Sequence, residues 1–461
     1  MRLLPILRRP SPRGAPLRSE GARPGRLVVG GFAAAIAVGT LLLLLPVSTT
    51  GRLATPLEAL FTATSAVCVT GLAVVDTGSF WTPFGQVVIL VLIQLGGFGV
   101  MTAASLLGLL VSRRLDLRTR LVAAASTRSV GLGDVRSVLI GVLRVTVAVE
   151  GGVALLVAAR LVVGYGATPG EALWHGVFHA VSAFNNAGFA LYSDSLVGFV
   201  GDPWTCVPLC LAVVLGGIGF PVLFELYRAR RRRTGASRWS LHTKLTLVTS
   251  GVLLAGGTLF FLVAEWANPR TLGALGVGDR VLAAFTQSVM ARTAGYNSLD
   301  TSAMNSGTWL GTDILMFVGG GSASTAGGIK VVTFAVLAFV IWSELRGDPD
   351  VTAFDRRVAA ATQRQAVSVA LLGVAAVLLS TLIITATSPL GLDRVLFEVT
   401  SAFSTTGLST GITADLSAPH QLILVGLMFL GRLGPITLGS ALALRSRPRL
   451  FRHPESAAVI G

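Results

Sequence analysis

The sequence predicts an all-α polytopic membrane protein: four parallel helix–re-entrant pore loop–helix repeats around a pseudo-fourfold pore, with eight membrane crossings. Three observations carry that prediction. The 461 residues are 52% hydrophobic and only 13% charged, with a mean hydropathy of +0.73, whereas soluble domains carry about 25% charged residues. One short pattern recurs four times, its glycines Gly71, Gly188, Gly295 and Gly407 lying 117, 107 and 112 residues apart; such a period marks a chain built from copies of one unit. Each copy holds two apolar stretches near the length needed to cross a bilayer, about 20 residues, with a shorter one between them.

Residues 1–26 are rich in Arg, Pro and Gly and read as a disordered cytoplasmic arm. A signal peptide is the weaker reading, because the apolar run 27–45 is long and no small-x-small cleavage site follows it. The repeats then occupy 27–112, 113–228, 229–344 and 345–447, and 448–461 forms a cytoplasmic tail. The first crossing helix of each repeat is expected at 27–47, 137–163, 243–266 and 365–387, and the second at 84–111, 204–227, 309–343 and 420–444. Between them lie segments of 13 to 17 residues, too short to span. Helix-start chemistry precedes them: Thr55-Pro56 with Glu58, Thr168-Pro169 with Glu171, Asp279 and Asp393 supply caps, first-turn prolines and acids that suit the positive end of a helix dipole. The chain after each must return to the same side, which makes each a re-entrant half-helix. Irregular backbone at membrane depth is tolerated where it lines a water-filled cavity, so four such loops around one axis make a pore.

Charge sets the sidedness. Of 37 Lys and Arg, 29 fall in residues 1–26, 113–144, 228–244, 344–364 and 445–452. Basic residues clustered in alternate short loops mark cytoplasmic faces, and this accounts for the net charge of +15 without nucleic acid. Both termini are placed inside. Every repeat begins and ends at a basic loop, so all four share one orientation, unlike the inverted repeats of many secondary transporters. Three cysteines, Cys68, Cys206 and Cys210, supply neither a disulfide framework nor a metal spacing.

The recurring pattern reads Ser65-Ala-Val-Cys-Val-Thr-Gly71-Leu72, Ser182-Ala-Phe-Asn-Asn-Ala-Gly188-Phe189, Val289-Met-Ala-Arg-Thr-Ala-Gly295-Tyr296 and Ser401-Ala-Phe-Ser-Thr-Thr-Gly407-Leu408, with Phe61, Phe178, Phe285 and Phe397 ten residues before the glycines. A dehydrated potassium ion needs a cage of oxygen ligands, which backbone carbonyls can supply. Turning carbonyls inward asks for dihedrals that glycine takes readily. The candidate filter is therefore Val69, Thr70 and Gly71; Asn186, Ala187 and Gly188; Thr293, Ala294 and Gly295; and Thr405, Thr406 and Gly407. The competing reading, that each glycine only packs a tight turn, weakens with four in register.

The second crossing helices repeat as well: Leu95-Gly-Gly97-Phe-Gly99, Leu215-Gly-Gly217-Ile-Gly219 and Leu430-Gly-Arg432-Leu-Gly434 hold matching places. In the third repeat the element swells into Gly319, Gly320, Gly321, Ser322, Ala323, Ser324, Thr325, Ala326, Gly327, Gly328, Ile329 and Lys330, a run that should break a helix. The loop is peculiar to repeat three and the arginine to repeat four, and such departures from internal symmetry mark the candidate gate.

Thr64-Ser-Ala-Val-Cys-Val-Thr-Gly-Leu, Arg292-Thr-Ala-Gly-Tyr-Asn, Thr405-Thr-Gly-Leu and the Ser-Thr-x-Gly-Gly-Ile-Lys run ending at Lys330 together resemble the membrane subunit of the Trk/Ktr potassium transporters, closer to the Ktr branch because eight crossings leave no extra N-terminal helices. The resemblance runs from about residue 27 to 447. It implies potassium uptake across the plasma (inner) membrane, a homodimer, and a cytoplasmic nucleotide-binding ring of RCK type. Gly71, Gly188, Gly295 and Gly407 match the family's filter glycines, 319–330 its intramembrane gating loop and Arg432 its gate-side arginine. No cofactor is implied in this chain: potassium is the substrate, nucleotide acts through the partner, and sodium dependence is left open. The alternative function is a sodium-preferring or non-selective monovalent cation conduit. Sodium-favouring plant relatives often carry serine at the first-loop position, which speaks for potassium at Gly71.

Charges inside spans are functional by default. Arg292 either supports a filter strand from behind, paired with Glu398, or simply ends a helix. Arg432 either repels cations below the filter or belongs to a structural ion pair, and Lys330 can snorkel to the surface. Glu150, beside Gly151-Gly152, is expected to face a neighbouring helix. His175 and His179 are four apart, as metal ligands would be, but have no third ligand in sight, so helix packing is the preferred reading. An enzyme finds no support: there is no His-Glu-x-x-His, and the glycine run lacks the Lys-Ser/Thr ending of a phosphate-binding loop.

Overall fold

The computed structural model describes residues 23–113, 135–233 and 235–444, with side chains over 27–102, 139–233 and 235–434. The N-terminal arm up to residue 22, most of the 113–144 basic loop, and the tail from 445 lie outside the described residues. What is described is almost entirely helical, with one two-stranded hairpin, β1 (Thr352–Ala353) against β2 (Arg356–Arg357), in the loop that precedes the first long helix of the fourth repeat.

The first repeat contributes α1 (Arg23–Leu43), the short helix α2 (Pro56–Cys68) and α3 (Pro83–Arg113). The second contributes α4 (Val135–Tyr165), α5 (Pro169–Phe184), α6 (Pro203–Ile218) and α7 (Phe220–Arg232). The third holds α8 (Leu241–Glu265), α9 (Val277–Met290), α10 (Ser306–Phe317) and α11 (Val331–Arg346). The fourth holds α12 (Ala360–Thr387), α13 (Leu392–Ser404) and α14 (Ala418–Leu444).

Each of the short helices begins where the sequence says it should. Thr55 and Glu58 form a reciprocal capping box on α2, with Pro56 in its first turn. The Arg52 hydrogen bond, with the Thr55 backbone behind it, holds the Glu58 carboxyl down at about 2. Thr168 caps α5 by accepting the Glu171 N–H, while α9 and α13 start after Gly276 and Gly391 and carry Asp279 and Asp393 in their first turns. Phe61, Phe178 and Phe397 are wholly buried on the inner faces of their helices, and Phe285 is only partly so.

Among the described residues, four helices are long and apolar enough to cross a membrane, over Pro83–Thr102, Leu139–Tyr165, Leu241–Glu265 and Ala360–Thr387. The last three turn large apolar side chains outward, among them Leu155, Val163, Leu259, Val263, Leu371 and Leu382. A water-facing helix would carry polar residues on that face; an apolar outer face suits lipid.

Two of the expected second crossing helices are not continuous. The expected helix 204–227 is two helices, α6 and α7, bent by 100° at Gly219. Gly219 has φ +99°, and a Cβ there would lie 2.6 Å from the Ser322 carbonyl oxygen. The expected helix 309–343 is interrupted between Phe317 and Val331 by the glycine-rich run, as its composition foretold. The two breaks are one event: the Phe220 N–H donates to the Ala323 carbonyl, so the bend in repeat two is made against the loop of repeat three.

Candidate functional site

The four recurring glycines converge. A Cβ on Gly71 would lie 2.3 Å from the Ala187 carbonyl oxygen and 3.1 Å from Gly188 Cα. One on Gly188 would lie 2.6 Å from the Ala294 oxygen and 2.9 Å from Gly295 Cα. One on Gly295 would lie 2.3 Å from the Thr406 oxygen, and one on Gly407 would lie 2.1 Å from the Thr70 oxygen. The chain of neighbours therefore runs 71, 188, 295, 407 and back to 71. It is a closed ring in which each glycine abuts a backbone carbonyl of the next repeat.

All four stretches share one backbone shape. Each glycine has a positive φ (+91°, +70°, +74°, +96°), and so does the residue two before it: Val69, Asn186, Thr293 and Thr405. The residues between, Thr70, Ala187, Ala294 and Thr406, are not among those with positive φ. Alternating the sign of φ turns successive carbonyls toward one side of the strand, which a regular helix or strand cannot do. Left-handed φ costs a non-glycine residue about 1–3 kcal/mol, so this conformation is held by its surroundings. Part of the hold is visible: the Gly71 N–H donates to Ser65 Oγ at 3.1 Å and the Gly407 N–H to Ser401 Oγ at 3.0 Å. Repeat two uses Ser182 differently, its hydroxyl donating to the Phe189 carbonyl, and repeat three has Val289 at that place. The serine six residues before the glycine was present in three of the four quoted stretches, and that recurrence was the available signal.

The first glycine of each Leu-Gly pattern has a packing role that its sequence position alone did not reveal. Cβ atoms on Gly96, Gly216 and Gly431 would lie 2.0, 1.9 and 1.7 Å from the carbonyl oxygens of Val67, Phe184 and Phe403. Each of those carbonyls stands four residues before a ring glycine. The second crossing helix thus presses its bare backbone against the end of its own short helix, and any side chain there would displace that end.

The glycine-rich run is tied to the ring. Gly321 N–H donates to the Gly217 carbonyl at 2.7 Å and Thr325 N–H to the Gly216 carbonyl at 3.2 Å. Thr325 Oγ1 donates to Asn186 Oδ1 at 2.7 Å, and a Cβ on Gly327 would fall 1.9 Å from Thr405 Oγ1. The run therefore reaches ring residues of repeats two and four at once. Arg432, 3% exposed, donates to the Thr325 carbonyl and, at 3.4 Å, to the Gly96 carbonyl. Among the described residues it has no carboxylate partner, and its partners are backbone oxygens of the run and of α3. Lys330 does not reach for the surface: its Nζ donates to the Ala326 carbonyl at 2.5 Å and so folds back on the run.

Of the two readings of Arg292, the pairing with Glu398 does not form, and the residue stands just past the end of α9. Arg292 donates to the Ser250 carbonyl and hydroxyl, each at 3.3 Å, and to the Gly319 carbonyl at 3.4 Å. Glu398 instead accepts from the Ser409 hydroxyl, from Thr410 N–H at 2.9 Å and from Thr413 Oγ1 at 2.9 Å. Each charged group finds donors or acceptors in its own repeat or the next turn of chain, and the two point to different elements. Glu150 does face neighbouring helices: Asn185 Nδ2 donates to it at 3.1 Å and Gln94 Nε2 at 3.4 Å. That places it behind the residue preceding Asn186, a link no spacing announced. His175 and His179 pack around Tyr192, with ring centroids 4.9 and 5.0 Å away.

Apolar helices enclosing a ring of backbone carbonyls define the class as a helical membrane protein of the transport kind. The chain belongs to the TrkH family, described as cation transport protein, whose model matches residues 32–447. It is 39% identical over 438 residues to the Ktr system potassium uptake protein B of Bacillus subtilis (strain 168), covering 95% of this chain and 97% of that one. It is 37% identical to the protein of the same name from Vibrio alginolyticus, over 98% and 97% of the two chains, and 33% identical to the potassium/sodium uptake protein NtpJ of Enterococcus hirae, over 95% and 97%. The crystal structure of the potassium transporter TrkH from Vibrio parahaemolyticus superposes with a TM-score of 0.69 at 15% identity, over 92% of this chain and 86% of that one, a likeness of fold. These relatives are ion transport proteins and not enzymes.

Proposed function

We propose that the chain is the pore-forming subunit of a potassium uptake system of the plasma (inner) membrane, with four parallel repeats, eight crossings and both termini in the cytoplasm. The observation that carries the reading is the closed ring Gly71–Gly188–Gly295–Gly407 with its shared left-handed backbone. Carbonyls from four chain segments around one axis can replace the hydration shell of a monovalent cation, and the filter is assigned to the three residues ending at each glycine. The run 319–330 with Arg432 is the gate. The relatives' names favour potassium, and the Ktr resemblance further suggests a homodimer regulated by a cytoplasmic RCK-type ring that binds the nucleotide. Growth of a potassium-uptake-deficient bacterium at low potassium tests the function: expression of the chain restores growth, and failure despite insertion in the membrane counts against it.

A second reading, transport of sodium as well as potassium, is favoured by the name of the Enterococcus relative. Competition of sodium against rubidium uptake separates the two. Sidedness has its own test. Cys68, Cys206 and Cys210 are buried, and Ser193 and Ser237 are exposed. In intact cells a membrane-impermeant thiol reagent labels Ser193→Cys and leaves Ser237→Cys untouched; labelling at 237 overturns the topology.

A further inference from the structure

Behind the ring, between α6, α8 and the glycine-rich run, lies a cavity of about 30 Å³ lined by Asn186, Val213, Gly217, Ser250, Arg292 and Gly320, among others. Two of its lining residues carry a polar group buried without a protein partner among the described residues: Arg292 at Nε and Asn186 at Nδ2. Both residues are more than nine-tenths buried, at 8% and 1% exposure. The unsatisfied groups are donors. Asn186 Oδ1 is already engaged by Thr325 Oγ1, and Ser250 Oγ already accepts from Arg292, which leaves its own O–H free to donate. The guanidinium makes no ion pair among the described residues; its three partners are neutral oxygens.

We propose that this cavity is a small-anion site, filled by a chloride ion that is bound by Arg292 and Asn186 and neutralises the arginine. The volume exceeds the roughly 10–15 Å³ that a single water requires and so admits one monatomic anion. Within a mostly aliphatic lining, the polar side chains are those of Arg292, Asn186 and Ser250, which bring N–H and O–H donors and one fixed positive charge. A cation is repelled there, and a water molecule would satisfy the donors but leave the charge unpaired in a low-dielectric region, where unpaired charge is costly. The site rests on the pore reading for its consequence. Arg292 immediately precedes Thr293 of the ring, and an uncompensated charge so close to an ion path opposes the entry of cations. With the anion in place that opposition is cancelled, so cation uptake depends on a small anion that is not itself transported.

The purified full-length protein, crystallised or imaged with bromide in place of chloride, tests occupancy independently of transport. An anomalous bromide peak in the Arg292–Asn186 cavity is expected; only water density there overturns the site. In proteoliposomes, replacing chloride by gluconate, which is too large for the cavity, lowers the initial rate of rubidium uptake by about threefold, as expected for restoring one partly screened charge near the path. The Arg292→Gln variant loses both the bromide peak and the anion sensitivity. If that variant fails to fold, the bromide peak and the gluconate effect in the parent protein still decide the matter. A bromide peak with no rubidium uptake in any salt faults the pore reading and leaves the site standing; uptake that ignores the anion overturns the consequence drawn here.

Discussion

Gly71→Ser lowers the preference for rubidium over sodium by about tenfold while the protein still inserts and assembles, because one carbonyl of a four-part cage is turned away. Two independent strains act at this position. Gly71 has φ +91°, a region in which a side chain is rarely accommodated. The added Cβ would also stand 2.3 Å from the Ala187 carbonyl oxygen, far inside contact distance, and that oxygen belongs to the neighbouring stretch of the ring. The ring must open at the 71–188 junction, moving two candidate ligands with one substitution. The distortion is local because the short helix α2 is anchored at its other end by the Thr55–Glu58 capping box. Gly407→Ser, whose Cβ would meet the Thr70 oxygen at 2.1 Å, is expected to open the next junction with a similar loss. Competition of sodium with rubidium uptake measures both. A selectivity ratio unchanged from the parent, in a protein of normal abundance, removes the filter assignment.

Arg432→Ala raises the maximal uptake rate about tenfold with little change in apparent potassium affinity. The arginine is the tie between the glycine-rich run and α3, through the Thr325 and Gly96 carbonyls, and hydrogen bonds from a charged donor are worth about 1.5–3 kcal/mol. If the described arrangement is the closed one, losing that tie shifts the balance toward an open run by at least that factor. On the proposed filter assignment affinity is set at the ring, which Arg432 does not touch directly. Deletion of residues 320–326 removes the proposed gate itself and should act in the same direction. The deletion is the harsher test, since Gly321 and Thr325 also satisfy the Gly217 and Gly216 carbonyls. A deletion protein that is inserted and folded but transports no faster than the parent makes the run a packing device.

The helical units were legible in the sequence because their causes are local. Proline after threonine, an acid two residues later and a run of small and apolar residues start a short helix wherever they occur, and α2 and α5 begin at the residues those signals named. The interruption of the third repeat was legible for the same reason: five glycines with serine and threonine cannot sustain a helix in the run 319–330. The bend at Gly219 was not. Gly219 closes a Leu-Gly-Gly-x-Gly pattern also found at residues 95–99, where α3 runs unbroken. What distinguishes the two is Pro221, in the first turn of α7, together with the Ser322 and Ala323 carbonyls of another repeat, lying against Gly219 and Phe220. The partner of Arg292 was misjudged for a related reason, since charge type suggests a carboxylate, whereas the buried position offered the Ser250 and Gly319 oxygens first.

By itself the sequence determined that this chain is apolar and helical, that one glycine pattern recurs four times along it, and where the short helices α2 and α5 begin. These follow from composition and from spacing over a few turns of chain. The tertiary structure alone decided that the four glycines, more than a hundred residues apart, close into a ring in the order 71, 188, 295, 407, and that the third unit's loop joins Asn186 to Arg432 through Thr325. It also decided that Arg292 and Asn186 share one cavity. Such contacts depend on how the units pack about one another, and a pattern read along the chain carries no term for the distance between residues that meet only when every unit is in place.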